Sequence, residues 1–153
     1  MNVRLSNRRR GFSLMEAIVV MALMGIIATI AFPAVERQLL ATKVDRAAMV
    51  MAADMQHAFT LAARQRRPIR VNLDWVGKQM TIRDRQTNAI LSRRHYGPEL
   101  SPFALSDFDS STGAFFVFPN GMANVAVTVT LGAGHQQRLV SMSRVGHVTI
   151  GVI

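Results

Sequence analysis

The stretch RRRGFSLME, residues 8–16, determines the architecture of this chain because it leads directly into an uncharged apolar run. That run covers residues 17–35, which are 19 residues without a charged side chain. At about 1.5 Å per residue, a helix of this length reaches roughly 29 Å, close to the hydrocarbon thickness of a bilayer. The sequence therefore predicts one membrane-spanning helix near the N-terminus.

The arm before this run, residues 1–11, carries positive charge only. It contains no acidic residue and four arginines, which are Arg4, Arg8, Arg9 and Arg10. Positively charged segments next to a spanning helix stay on the cytoplasmic side. We therefore expect a cytoplasmic arm, a membrane-spanning helix and an exported remainder.

The junction between the arm and the apolar run suggests processing and assembly. A small residue followed by an apolar one suits a cytoplasmic-side cut between Gly11 and Phe12, which would leave a charged α-amine on Phe12. Glu16 lies four residues further on, on the same helix face. Because a lone carboxylate is costly in lipid, we expect Glu16 to act in assembly by pairing with this amine on a neighbouring subunit.

Residues 11–17, GFSLMEA, resemble the class III leader junction of type IV pilins and type II secretion pseudopilins. The resemblance implies cleavage between Gly11 and Phe12 by a prepilin peptidase, followed by N-methylation of Phe12. Glu16 stands where these families keep a glutamate. Pro33 stands where they often have a helix-kinking proline.

Two other interpretations concern the same segment. Ser13 and Glu16 also form a capping-box pattern, which is compatible with a pilin-type helix start. An ordinary secretory signal would use residues 29–31, Thr-Ile-Ala, as its cut site. The charge of Glu16 at the start of the apolar run and the position of Pro33 just after that site argue against a secretory signal.

A second periodic pattern continues the helix beyond the apolar run. Apolar residues recur in steps of three and four, as expected for a helix that packs one face on a sheet: Val35, Leu40, Val44, Ala47, Ala48, Met51, Met55, Ala58, Phe59 and Ala62. Polar residues flank this stripe: Lys43, Arg46, Asp54, His57 and Arg64. We predict one helix over about residues 12–65, bent or loosened at Pro33.

From Pro68 onward the period changes to two, which predicts strands. We expect six to seven antiparallel strands: 69–75, 80–82, 89–92, 114–118, 125–131, 138–143 and 147–152. Residues 119–121, Pro-Asn-Gly, predict a hairpin turn. The composition of residues 97–113 predicts a surface loop. Asp107 and Asp109 lie in it, but the spaced acids of a calcium-binding loop are missing, so we expect a solvated loop and no calcium site.

The order of these elements, together with FPNG at 118–121 and VSMSRVGHV at 140–148, is similar to the GspH/FimT family of minor pilin-like proteins. The predicted fold class is α+β, with one long N-terminal helix packed on an antiparallel sheet. We expect a cleaved leader (1–11), a transmembrane and assembly helix (12–35), the periplasmic half of the helix (36–67) and a β-rich head (68–153).

Residues that signal an enzyme are missing from the sequence. There is no cysteine, and the four histidines, His57, His95, His135 and His147, are scattered without metal-ligand spacing. No nucleophile elbow or phosphate-binding glycine loop occurs. We therefore predict a non-enzyme without cofactor or metal.

The resemblance implies a minor pseudopilin of a type II secretion system, with its head in the periplasm. Its expected partners are other pseudopilins or pilins, the prepilin peptidase, the inner membrane and secreted cargo. The alternative is a FimT-like minor type IV pilin that acts in pilus assembly or in DNA binding and uptake.

For the alternative, the candidate contacts to nucleic acid or other anions are Arg64, Arg66, Arg67 and Arg70, extended by Arg83, Arg85, Arg93 and Arg94. The formal net charge of +9 would fall to +5 on loss of the leader arginines, which permits but does not require such contacts. DNA-binding relatives carry Gly-Arg-x-Arg near the C-terminus, where this chain has Gly146 and His147 without either arginine.

Overall fold

The computed structural model describes residues 13–153, which form one helix and eight strands. The helix, α1, spans Leu14–Gln65. The strands are β1 (Ile69–Asp74), β2 (Gln79–Asp84), β3 (Ile90–His95), β4 (Asp107–Ser110), β5 (Ala114–Val117), β6 (Val127–Ala133), β7 (Gln136–Met142) and β8 (Val148–Val152). The chain divides into two compact units, with the boundary between Glu36 and Arg37.

The unit Arg37–Ile153 contains two four-stranded antiparallel sheets. The first has the strand order β3-β2-β1-β5, and the second has the order β4-β6-β7-β8. The predicted α+β class is therefore confirmed. The expected six to seven strands are corrected to eight, which are divided between two sheets.

The second half of α1 buries the predicted stripe because its spacing keeps those side chains on one face. Val44, Ala47, Ala48, Met51, Met55, Ala58 and Ala62 are fully buried. Four of these seven are alanines, which let neighbouring backbone approach closely. Leu40 and Phe59 are half-buried beside them, whereas Val35 is exposed. The stripe is thus confirmed from residue 40 onward.

Two aspartates close the turns of the first sheet. The Asp74 Oδ1 atom accepts hydrogen bonds from the backbone N–H groups of Val76 and Gly77, each at 3.0 Å. The Asp84 Oδ1 atom accepts from the N–H groups of Gln86 (2.7 Å) and Thr87 (3.0 Å). These bonds favour the ionised carboxylates.

The same contacts shift the acidity of both groups. The Gly77 N–H and then the Gln79 side chain hold the pKa of Asp74 below its ordinary range. The Thr87 and Gln86 N–H groups, with a smaller contribution from the charge of Arg67, lower the pKa of Asp84.

The expected loop over residues 97–113 is wrong in part, because it contains β4. This strand pairs with β6, and Phe108 enters the core while Asp107 and Asp109 point outward. The predicted turn at 119–121 is present, with Gly121 at φ 78° and its N–H bonded to the Phe118 carbonyl. It does not join a hairpin of β5 and β6, since these two strands belong to different sheets.

Candidate assembly site and charged surfaces

The start of α1 is capped by Ser13. Its Oγ accepts a hydrogen bond from the Glu16 N–H at 3.2 Å, and its carbonyl accepts from the N–H groups of Glu16 and Ala17. The serine half of the predicted capping box is therefore formed. Glu16 lies in the first helical turn, where the positive end of the helix dipole favours a carboxylate. Within residues 13–153, no side-chain hydrogen bond or ion pair involves that carboxylate.

The helix residues that follow Glu16 are apolar and unburied. An 18-residue window of α1 has a mean hydropathy of 2.5, and none of it is buried within the chain. Large side chains such as Ile18, Met21 and Phe32 are more than half exposed. By length and composition this segment can cross a membrane, and its apolar surface requires lipid or other apolar helices around it.

The remaining predicted residues of the junction are placed as follows. Gly11 and Phe12 lie outside the described residues. Pro33 lies inside α1, which is helical on both sides of it. A bend at Pro33 stays a prediction.

A buried ionic cluster joins α1 to β3. Asp54 is only 9% exposed and accepts two hydrogen bonds from Arg94, one from Nε and one from Nη2 at 3.0 Å. The Tyr96 hydroxyl donates to the Asp54 Oδ2 atom at 2.9 Å. Burial, and then the nearby Asp54 carboxylate, raise the pKa of Tyr96, so its phenol remains a donor. Hydrogen bonding to Asp54 raises the pKa of Arg94.

This cluster corrects two expectations. Asp54 belongs to the buried face of α1 and does not flank it. Arg94 pairs with this acid and does not share a surface with Arg93, because successive residues of a strand face opposite sides. The sequence signal for the cluster is weak, since its members lie 40 and 42 residues apart.

A second ion pair ties α1 to the other sheet. The Arg138 Nε donates to the Asp45 Oδ1 at 2.6 Å, and the Asp45 side chain is 42% exposed. Each sheet is therefore connected to the helix by one arginine–aspartate pair, in which the side chain of Asp54 (12% exposed) or of Arg138 (15% exposed) is the more buried partner. Within residues 13–153, these are the ion pairs shorter than 4 Å.

The four arginines proposed as anion contacts are exposed around the end of the helix and the start of β1. Arg64 lies in the last helical turn, and Arg66 ends the helix with a φ of 52°. Arg70 points away from the core, opposite Arg83 of β2 and Phe116 of β5. Contact with nucleic acid stays a prediction.

Phe116 was not expected from the sequence to have a role on this surface. The guanidinium carbons of Arg85 and Arg70 lie 4.8 Å and 6.0 Å from the centre of its ring. Arg83 and Asn72 extend the same side of the sheet, and each has a buried atom without a hydrogen-bond partner in the described chain, Nε and Oδ1 respectively. No group of three or more potential metal ligands occurs in residues 13–153.

The first half of α1 is capped, apolar and unburied, and its second half packs on the sheets of the head. These features define a membrane-anchored, pilin-like subunit with a globular head. Residues 6–32 match the prokaryotic N-terminal methylation motif. Residues 47–146 match the family Type II transport protein GspH, and this chain belongs to that family. The family consists of structural pseudopilins and pilins that assemble with one another and are processed by a prepilin peptidase.

Solved structures share the fold. The type IV minor pilin FimU of Pseudomonas aeruginosa is 20% identical, with a TM-score of 0.58 over 72% of this chain and 89% of that chain. The minor pseudopilin EpsH from the Type 2 Secretion System of Vibrio cholerae is 12% identical, with a TM-score of 0.54 over 72% of this chain and 97% of that chain. The curated proteins contain no match.

Proposed function

We propose that this minor pseudopilin is inserted in the inner membrane by residues 12–35 and holds its head, residues 68–153, in the periplasm. The observation that carries the proposal is the apolar, unburied first half of α1, which begins with a capped Glu16. Family membership supports assembly with other pseudopilins, and the basic arm 1–11 supports the orientation.

The proposed maturation converts the N-terminus into an assembly element. Prepilin peptidase cuts between Gly11 and Phe12, and the new Phe12 amine is methylated. The four leader arginines leave with the arm, so the remaining segment enters the bilayer region without them. The methylated amine of one subunit then neutralises Glu16 of its neighbour, which removes the cost of a lone charge in lipid.

The head contributes contacts above the membrane. Its two sheets are tied to α1 by the Asp54–Arg94 and Asp45–Arg138 pairs, which fix the surface that the head presents. Through that surface we propose contacts with other subunits and with secreted cargo. The proposed role is structural, without catalysis or cofactor.

The experiment compares Glu16→Ala with Glu36→Ala in cells that express the partner pilins. Both residues are exposed acids on α1, but Glu36 follows the apolar run. We expect both variants to insert and to be cleaved, and only Glu16→Ala to lose copurification with the partners. Incorporation of Glu16→Ala at the level of Glu36→Ala would contradict the assembly role.

Mass spectrometry of the purified protein tests the maturation separately. The expected mature chain begins at Phe12 and carries one added methyl group. A chain that retains residues 1–11, or one that begins after residue 31, would contradict the proposed processing.

A further inference from the structure

The outer side of the first sheet carries a compact group of arginines, here called the arginine face: Arg70, Arg83, Arg85 and Arg93. Arg70 of β1 lies directly opposite Arg83 of β2, and Arg93 of β3 lies opposite Thr81 on the same side. Arg85 follows β2 immediately and reaches the ring of Phe116. Three adjacent strands thus present their cations on one surface.

The chain does not neutralise this charge itself. Within residues 13–153, neither ion pair involves an arginine of this face, since both acids that form pairs contact Arg94 and Arg138. Like charges directly opposite each other on neighbouring strands are destabilising. The Arg70–Arg83 pair is therefore an unfavourable arrangement that an anionic partner would relieve.

Phe116 holds part of the face in a fixed geometry. Its ring lies beneath the guanidinium groups of Arg85 and Arg70, at 4.8 Å and 6.0 Å. Stacking on a ring orients the planar guanidinium and leaves its N–H edges available for bidentate contact with carboxylates. The same arrangement makes Phe116 a poor platform for a nucleic-acid base, because the ring already carries two cations.

The size of the face also favours a protein ligand. Neighbouring strands lie about 4.8 Å apart, so the arginines cover roughly 10–15 Å. The distance between neighbouring strands is close to the distance of about 5–6 Å between the Cβ atoms of helix residues i and i+4, so acidic side chains at such positions match neighbouring strands of the face. Nucleic-acid binding without base readout uses a longer basic groove together with free aromatic rings.

We propose that the arginine face is the docking surface for a carboxylate-rich segment of another protein. The guanidinium groups of Arg70 and Arg85, oriented by Phe116, receive the carboxylates, and Arg83 and Arg93 add charge around them. This inference concerns the head alone and does not depend on the maturation or on the role of Glu16.

The test measures binding of a fluorescein-labelled decaglutamate peptide to the full chain in detergent, by anisotropy at about 50 mM and 150 mM salt. The variants are Arg85→Glu and Arg70→Glu, and the matched control is Arg144→Glu. Arg144 is an exposed arginine in the β7–β8 turn, so all three variants change the net charge equally. Circular dichroism verifies that each variant is folded.

We expect the face variants to weaken binding about tenfold or more and the control to change it less than about twofold. Arg85→Lys is expected to fall between them, because lysine keeps the charge and loses the planar fork. Equal loss in Arg144→Glu would overturn the proposal, since it would indicate attraction by net charge alone. Absence of peptide binding to the unmodified chain at 50 mM salt would overturn it as well.

Two further measurements distinguish other occupants. A single-stranded oligonucleotide with ten phosphates that binds more tightly than the peptide would overturn the proposal in favour of nucleic acid. Self-association of the chain that disappears in Arg85→Glu would overturn it in favour of a second copy. Weaker binding of the oligonucleotide and unchanged association state support an acidic protein partner.

Discussion

Replacement of Asp54 by alanine tests whether the buried cluster is the main polar link between α1 and the first sheet. Asp54 accepts hydrogen bonds from Arg94 and from Tyr96, whose side chain is completely buried. Without the carboxylate, the Tyr96 hydroxyl is left in the core without its acceptor. Arg94 is affected less, because its side chain is 45% exposed and regains water.

The expected loss of stability is the sum of the effects at Tyr96 and at Arg94. An unsatisfied buried hydroxyl costs about 1–3 kcal/mol. The lost bonds to Arg94 would count for more if they were buried, but exposure reduces them to about 1 kcal/mol. We therefore expect Asp54→Ala to lower the free energy of unfolding by about 3 kcal/mol. Tyr96→Phe, which removes the donor and leaves the Asp54–Arg94 pair intact, should cost about 1 kcal/mol.

Asp45→Ala is the matched control on the same helix. It removes an aspartate whose side chain is 42% exposed and pairs with Arg138. The gain in helix propensity from aspartate to alanine is common to both variants. The Arg138 side chain that is left behind is 15% exposed but keeps its hydrogen bond to the Gln137 carbonyl at 2.9 Å, so we expect a loss of about 1 kcal/mol. The difference between the two variants, about 2 kcal/mol, then measures the cost of leaving the buried Tyr96 hydroxyl without its acceptor.

The assay is urea unfolding of the fragment 37–153, followed by circular dichroism. This fragment contains every buried residue of the described chain, so its core is complete. The double variant Asp54→Ala/Tyr96→Phe should be less destabilised than the sum of the single variants, by about 1 kcal/mol. Equal losses in Asp54→Ala and Asp45→Ala, or strict additivity in the double variant, would refute the reasoning.

Two further predictions use the same assay. Gly146 and Gly121 both have a φ of 78°. A Cβ atom added at Gly146 would lie 3.0 Å from the Phe59 ring, whereas a Cβ atom added at Gly121 would have no atom within 4 Å. We expect Gly121→Ala to cost about 1 kcal/mol and Gly146→Ala about 1 kcal/mol more, and equal losses would contradict the contact. The lowered pKa values of Asp74 and Asp84 contribute stability that is complete above the ordinary aspartate pKa of about 4 and is lost as the pH falls through the folded-state values. Asp84→Asn keeps the turn acceptor without titrating, so its urea midpoint should fall less between pH 5 and pH 2, and an unchanged acid dependence would contradict this assignment.

The features that were predictable from the sequence are local ones. The apolar run, the serine cap and the stripe from residue 40 onward each depend on spacing within a few turns of one helix. The alternating strands were recognised for the same reason. The resemblance to pilins at the N-terminal junction depends on a short motif, residues 11–17. The match to the methylation motif, residues 6–32, includes that motif.

The division into two sheets was not predictable, because alternation identifies which side of a strand is buried and not which strand lies beside it. Residues of β5 and β6 are close in sequence, yet β5 pairs with β1 across more than 40 residues. The strand β4 was missed because its sequence, DFDS, contains residues that strands usually avoid. At a sheet edge those exposed aspartates are favourable, since charges discourage pairing with another chain.

Arg93 and Arg94 show where a charge count over the sequence fails. They are consecutive residues of β3, so their side chains must lie on opposite sides of the sheet. Two consecutive arginines of a strand therefore do not share one surface, and here Arg94 pairs with Asp54 while Arg93 lies on the other side of the sheet. Asp54 occupies a step of the apolar helix stripe, with Met51 and Met55 buried beside it. A carboxylate on the buried face of a helix is costly alone, and its bonds to Arg94 and to the Tyr96 hydroxyl explain how Asp54 is accommodated there.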